Sequence, residues 1–232
     1  MSSKAEIIEA APSRESQLRR EYPAHVVTLR RKNWLEVTLL FAFILLSIWT
    51  PQGRLNLLFM LAAAGAVTVL ALTGTWGASE MGLTRPLAGA RPMLLAGAAL
   101  CGLIVLLTIP MRSAGPGYVI PLGRSWQYVF WALQQQFILQ SIFFLRLEAV
   151  MGSRRAVVAT AFLFALVHLP NPILTVLAFF GGILFCGFFR HWRNLLPLGI
   201  VHAGLGFTIA ASLPDRWLHH MRVGIGYLMT RP

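Results

Sequence analysis

The sequence predicts an all-α membrane protein, a polytopic bundle of about seven transmembrane helices. Three observations predict it. Hydrophobic residues make up 56% of the chain and charged residues only 12%, too little charge to wet the surface of a soluble domain. The apolar residues are gathered into long runs, as membrane-spanning helices require. Short loops rich in Arg, Pro or Gly separate the runs.

The runs follow in order. Residues 1–33 form a polar N-terminal tail, so no cleavable signal peptide is expected. The tail mixes Glu6, Glu9, Glu15 and Glu21 with Lys4, Arg14, Arg19 and Arg20. It reads equally as an amphipathic helix on an anionic leaflet or as a loose tail. The transmembrane domain is expected over residues 34–213. Its spans are Trp34–Trp49, Leu55–Leu72, Met93–Ile109, Trp126–Leu147, Ala156–Leu169, Ile173–Phe189 and Leu195–Leu213. About 20 residues cross a bilayer as a helix, so the fifth run, stopped by Pro170-Asn171-Pro172, is short. Residues 214–232 read as a C-terminal tail.

The net charge of +12 suits the loops of an inner-membrane protein better than nucleic acid. Fourteen of the 20 Lys and Arg residues fall on one set of alternate loops and six on the other. That bias predicts a cytoplasmic N-terminus in the cytoplasmic (inner) membrane. This count treats Arg146 as a loop charge. Cys101 and Cys186 lie inside apolar runs and read as small core residues, with no disulfide or metal spacing.

A polar side chain inside the membrane must find a partner or line a cavity. Glu36 lies near the end of its span, within reach of the headgroups. The fourth run carries Gln134, Gln135, Gln136 and Gln140 in mid-helix. Gln136 and Gln140 are four apart and share a face. They suit interhelical hydrogen bonding, worth roughly 1 kcal/mol or less each, or a polar site. Phe164 and His168 are one turn apart at the end of the fifth run. His202 lies in the seventh run among Gly199, Gly204 and Gly206. Each histidine alone suits a satisfied buried imidazole. Two of them on separate spans, with a polar stripe on a third, suit a site.

This order of residues resembles the CPBP (CAAX-protease and bacteriocin-processing) family of intramembrane proteases over about residues 125–210. The family carries EExxxR, FxxxH and HxxxN motifs on successive core helices. FxxxH matches as Phe164 and His168. HxxxN keeps His202, with Gly206 at the asparagine position. The first motif aligns as Gln135-Gln136-Phe137-Ile138-Leu139-Gln140, with both glutamates and the arginine replaced by glutamine. Gly181-Gly182 also fit the pattern.

The resemblance implies cleavage of membrane-embedded or lipidated peptides by a glutamate-activated water, with the histidines and asparagine polarising the carbonyl. Membrane lipid and such a peptide are the expected partners. The departures cut against that chemistry: an amide cannot accept a proton from water, so ordinary glutamate-dependent hydrolysis is expected to be impaired. Gln135, Gln136 and Gln140 are then positioning groups, and His168 and His202 the acid/base groups or ligands of a divalent metal such as zinc. Such a metal is expected to bind weakly, because amides replace carboxylates. Phe164, Asn171 and Gly206 are expected to contact the peptide. Asn171 or Asn194 is expected as an accessory donor, and Asn171, just after the helix end at His168, as the substitute for the missing asparagine. Glu148 is expected to pair with Arg146, Arg154 or Arg155. Two other classes fit the residues: a non-catalytic pseudoprotease that holds a peptide, and a membrane enzyme acting on a lipid or isoprenoid.

Overall fold

A computed structural model describes residues 14–229, and among them every regular element is helical. Helix α1 spans Arg14–Trp49, α2 Arg54–Thr73 and α3 Ala90–Thr108. A long helix follows in three continuous parts: α4 (Leu122–Gln136), a π-helical stretch (Phe137–Phe144) and α5 (Leu145–Met151). Helix α6 covers Ser153–Leu166, α7 Pro172–Trp192 and α8 Leu196–Ser212. The chain closes with two short helices, α9 (Asp215–Leu218) and α10 (Gly224–Met229).

Four stretches are long and apolar enough to cross a membrane: Leu29–Trp49, Arg54–Thr73, Ala90–Met111 and Pro172–Trp192. Helix α8 is apolar but shorter. Large apolar side chains such as Leu58, Leu72, Leu106 and Phe180 are exposed around the bundle, and α2 buries none of its residues. An outer surface of this kind is suited to lipid rather than water.

Each expected run coincides with a helix, with differences at the ends. Helix α1 runs back to Arg14, so part of the expected tail continues the first span as helix. Residues 1–13 and 230–232 of the two tails lie outside the described residues, and with them Lys4, Glu6 and Glu9. Helix α6 stops at Leu166, and a turn carries the chain to Pro172. The expected C-terminal tail holds α9 and α10, which return to the bundle.

The long helix is the centre of the bundle. Residues 139–144 of its π stretch are all buried. Six consecutive buried residues need neighbours on every side, and α2, α6 and α7 supply them. The wide i→i+5 turn is a form that recurs at functional sites.

Small residues set the closest helix approaches. Ala178, Gly182 and Cys186 form one buried stripe of α7. A Cβ on Gly182 would come within 2.8 Å of the Ala161 Cα on α6. Helix α8 is wedged between α3 and α4 in the same way. A Cβ on Gly199 would meet the Leu133 side chain, and one on Gly97 would meet Val201.

The interior charges depart from the expected picture. Arg146 is 1% exposed and is no loop charge. Its Nε donates to Glu36 Oε2 at 2.6 Å, Nη1 to the Ile142 carbonyl at 3.2 Å and Nη2 to the Leu70 carbonyl at 3.3 Å. The guanidinium also lies 4.8 Å from the Trp76 ring centroid. One side chain thus ties α1, α2 and the loop after α2 to the central helix. Glu36 does not simply reach for headgroups, because Arg146 holds it. Glu148 pairs with Arg193 of the α7–α8 turn at 2.5 Å, not with Arg146, Arg154 or Arg155.

Candidate active site

The polar residues of α4, the α6–α7 turn and α8 meet around a cavity of about 190 Å³, room for roughly six waters. Tyr128, Ala132 and Gln135 line it from α4, at spacings of four and three that keep them on one face. Phe164 lines it from the last turn of α6, His168 from the turn that follows, and His202 and Gly206 from α8.

Behind the cavity wall runs a buried amide chain. Gln140 Nε2 donates to Gln136 Oε1 at 3.1 Å. Gln136 Nε2 lies 3.1 Å from His202 Nδ1. Both glutamines are completely buried. The chain has a direction: with its oxygen taken by Gln140, the Gln136 amide presents N–H to His202. His202 Nδ1 then accepts, and the ring carries its proton on Nε2. Gln140 Oε1 has no hydrogen-bond partner among the described residues, although the Cys186 side chain lies beside that amide.

His168 has the opposite tautomer. Its Nδ1 is 2.7 Å from the Phe164 carbonyl oxygen. A carbonyl only accepts, so Nδ1 carries the proton and Nε2 keeps a lone pair. One imidazole of the site is therefore a donor at Nε2 and the other an acceptor. The Phe164 ring holds both edgewise, with centroids at 4.8 Å from His168 and 5.7 Å from His202. Phe185 covers His202 at 5.4 Å.

Of the residues expected here, Gln136, Gln140 and His202 are bonded in one chain. His168 and Phe164 pack against that chain's end. Gln135 faces the cavity and takes no part in the chain. Neither Asn171 nor Asn194 lines the cavity as an accessory donor, and Asn171 does not substitute for the motif asparagine. Asn171 caps α7 by accepting from the Leu174 amide at 3.1 Å, and it donates to the carbonyls of Leu218 at 2.8 Å and Arg222 at 3.3 Å. Asn194 donates to the Ala88 carbonyl and accepts from the Leu196 amide. Their amides are consumed by backbone groups, because each sits at a chain turn that leaves carbonyls and N–H groups without helical partners.

The Asn171 contacts bring the C-terminal segment to the site. With the Gly224 amide donating to the Leu169 carbonyl at 2.7 Å, they hold residues 214–229 against the α6–α7 turn, and Met221 and Val223 complete the cavity wall. Asn171→Ala is expected to destabilise the protein by about 2–4 kcal/mol, from one lost cap and two carbonyls left without this donor. Hydrogen exchange over 214–229 should speed up selectively; unchanged protection there would show that Asn171 does not tether the segment.

The donor set does not fit a catalytic zinc. Such sites use three protein ligands, and among the described residues no three His, Cys, Asp or Glu side chains come together. Here two imidazoles meet amides, and one imidazole nitrogen is already engaged by Gln136.

Sequence reasoning did not reach Tyr128. Its hydroxyl lies where a Cβ on Gly206 would sit, so that glycine makes room for the phenol. The usable signal was the seven-residue interval from Tyr128 to Gln135, which puts both on one helix face.

Residues 126–208 match the family model for type II CAAX prenyl endopeptidase Rce1-like proteins. The matched segment contains the whole amide chain, both histidines, Tyr128 and Gly206. No curated protein and no solved structure matches the chain.

Proposed function

We propose, from a core at residues 126–208 that belongs to the Rce1-like CAAX prenyl endopeptidase family, that this integral membrane protein captures a lipidated or membrane-embedded peptide and does not hydrolyse it by the carboxylate route. One observation carries the second half of that reading. Where the family's first motif places two glutamates, this chain has an amide chain whose buried members bond each other and His202. The nearby carboxylates do not substitute. Glu36 is held by Arg146 and Glu148 by Arg193.

What remains suits binding. The cavity offers a donor at His202 Nε2, an acceptor at His168 Nε2, and apolar walls from Phe164, Leu205 and Ile209. A peptide bond has one carbonyl to accept and one N–H to donate, so the two imidazoles complement it. A cytoplasmic N-terminus in the inner membrane is the orientation that the Lys and Arg bias supports, 13 to 6 once buried Arg146 is left out.

The test is binding of a fluorescent peptide carrying a farnesylated cysteine four residues from its C-terminus, with the protein in nanodiscs. Wild type should bind saturably. His168→Ala and His202→Ala should each lose at least about tenfold in affinity, as expected when a buried hydrogen-bonding partner is removed. Equal binding by all three proteins would overturn the reading.

A second reading rests on the free lone pair of His168. As a general base it would take a proton from water attacking the scissile carbonyl, giving slow hydrolysis. His168→Ala would then abolish a measurable basal cleavage rate as well as weaken binding.

A further inference from the structure

We infer that Tyr128 is a ligand-binding residue of this cavity: its phenolic O–H and the His202 Nε2–H together hold one carbonyl oxygen of the bound peptide. The inference rests on the peptide-binding reading above and extends it to a residue outside the three motifs.

Four observations carry it. Tyr128 lines the cavity and is half-buried, yet its hydroxyl has no hydrogen-bond partner among the described residues. A phenol in an apolar site normally finds a partner, because leaving the O–H unmade costs free energy. Second, its position is fixed. The ring packs on Phe207 with centroids 5.0 Å apart, so the hydroxyl is held against α8 and does not swing freely. Third, the space for it exists only because residue 206 lacks a side chain. A Cβ there would collide with the hydroxyl and lie within 2.7 Å of the ring carbon that bears it. Fourth, Gly206 is one helical turn from His202, so the phenol seated against Gly206 and the His202 imidazole meet the cavity on the same face of α8.

Two donors on one face of the cavity can converge on a single acceptor. A peptide carbonyl has two lone pairs and accepts both bonds. Of the other polar groups, the Gln136 and Gln140 amides are committed to their chain, His168 presents an acceptor, and Trp131 on the cavity wall carries an indole N–H. Gln135, two turns of α4 away from Tyr128, remains for the neighbouring peptide group. The chemistry recognised is therefore a backbone carbonyl in an apolar setting.

The experiment measures affinity of the farnesylated peptide for nanodisc-embedded wild type and Tyr128→Phe, and repeats it with a peptide whose target amide is reduced to CH2–NH. Tyr128→Phe should bind the normal peptide about three- to tenfold more weakly, the worth of one hydrogen bond, with unchanged thermal stability in the absence of peptide. The reduced peptide should bind wild type more weakly and show no further loss on Tyr128→Phe. In a second variant, Tyr128→Ala with Gly206→Asn, an amide donor from α8 should return affinity to within about threefold of wild type. If wild type binds and Tyr128→Phe binds equally, or loses equally for both peptides, the inference fails while the peptide reading stands. If wild type binds neither peptide, both fall together.

Discussion

Replacing Arg146 by alanine is expected to destabilise the bundle by about 3–5 kcal/mol, the usual cost of removing one partner from a buried ion pair. The guanidinium is 1% exposed and makes three hydrogen bonds, to α1, to α2 and within its own helix. Its loss leaves Glu36, among the described residues, with the 3.7 Å contact to Lys32, and leaves the Leu70 carbonyl without this donor. Denaturation in detergent measures the loss. Glu36→Leu combined with Arg146→Met should recover much of it, because an apolar pair of similar volume carries no desolvation cost. A single Arg146→Ala variant as stable as wild type would show that this side chain does not join the helices.

Gln135→Glu is expected to produce the largest change in chemistry. Gln135 lies on the cavity wall, where a carboxylate can take a proton from water. A positioned general base contributes typically 10²–10⁴-fold, so cleavage of the farnesylated peptide should rise by about that factor over wild type. Gln136→Glu should do less. That residue is fully buried, and a carboxylate there could no longer donate to His202 Nδ1. The imidazole would have to move its proton to Nδ1, and the cavity would lose its Nε2–H donor. Mass spectrometry of the peptide ends separates the cases. No cleavage by Gln135→Glu, with the peptide still bound, would mean that a carboxylate at the cavity wall is not the missing part.

Much of the fold was legible because depth in a membrane is written in hydrophobicity. The seven apolar runs coincide with helices, and the polar residues inside them were easy to see against an apolar background. Their partners were harder. Glu36 and Arg146 are 110 positions apart, and Arg146 looked like a loop charge because it sits near the end of an apolar run. Hydropathy reports how deep a residue lies and says nothing of which helix it faces.

The same limit applied at the site. Gln135 and Gln136 look equivalent in sequence, yet a 100° step along the helix puts one on the cavity wall and the other in the buried amide chain. Asn171 has the residue type a site needs and the position a helix cap needs, and the cap prevailed. Nothing in the C-terminal sequence signalled its return, because the tethering bonds are to backbone carbonyls of Leu218 and Arg222.

The central claim is a peptide-binding cavity that lacks the carboxylate chemistry of the Rce1-like family matched by residues 126–208. The direct measurement is to incubate wild-type protein in nanodiscs with the farnesylated peptide, recover the complex, and weigh the bound peptide by mass spectrometry. The account predicts saturable binding with the peptide recovered intact. Recovery of cleaved peptide at a rate matching Gln135→Glu, or no saturable binding, would contradict it.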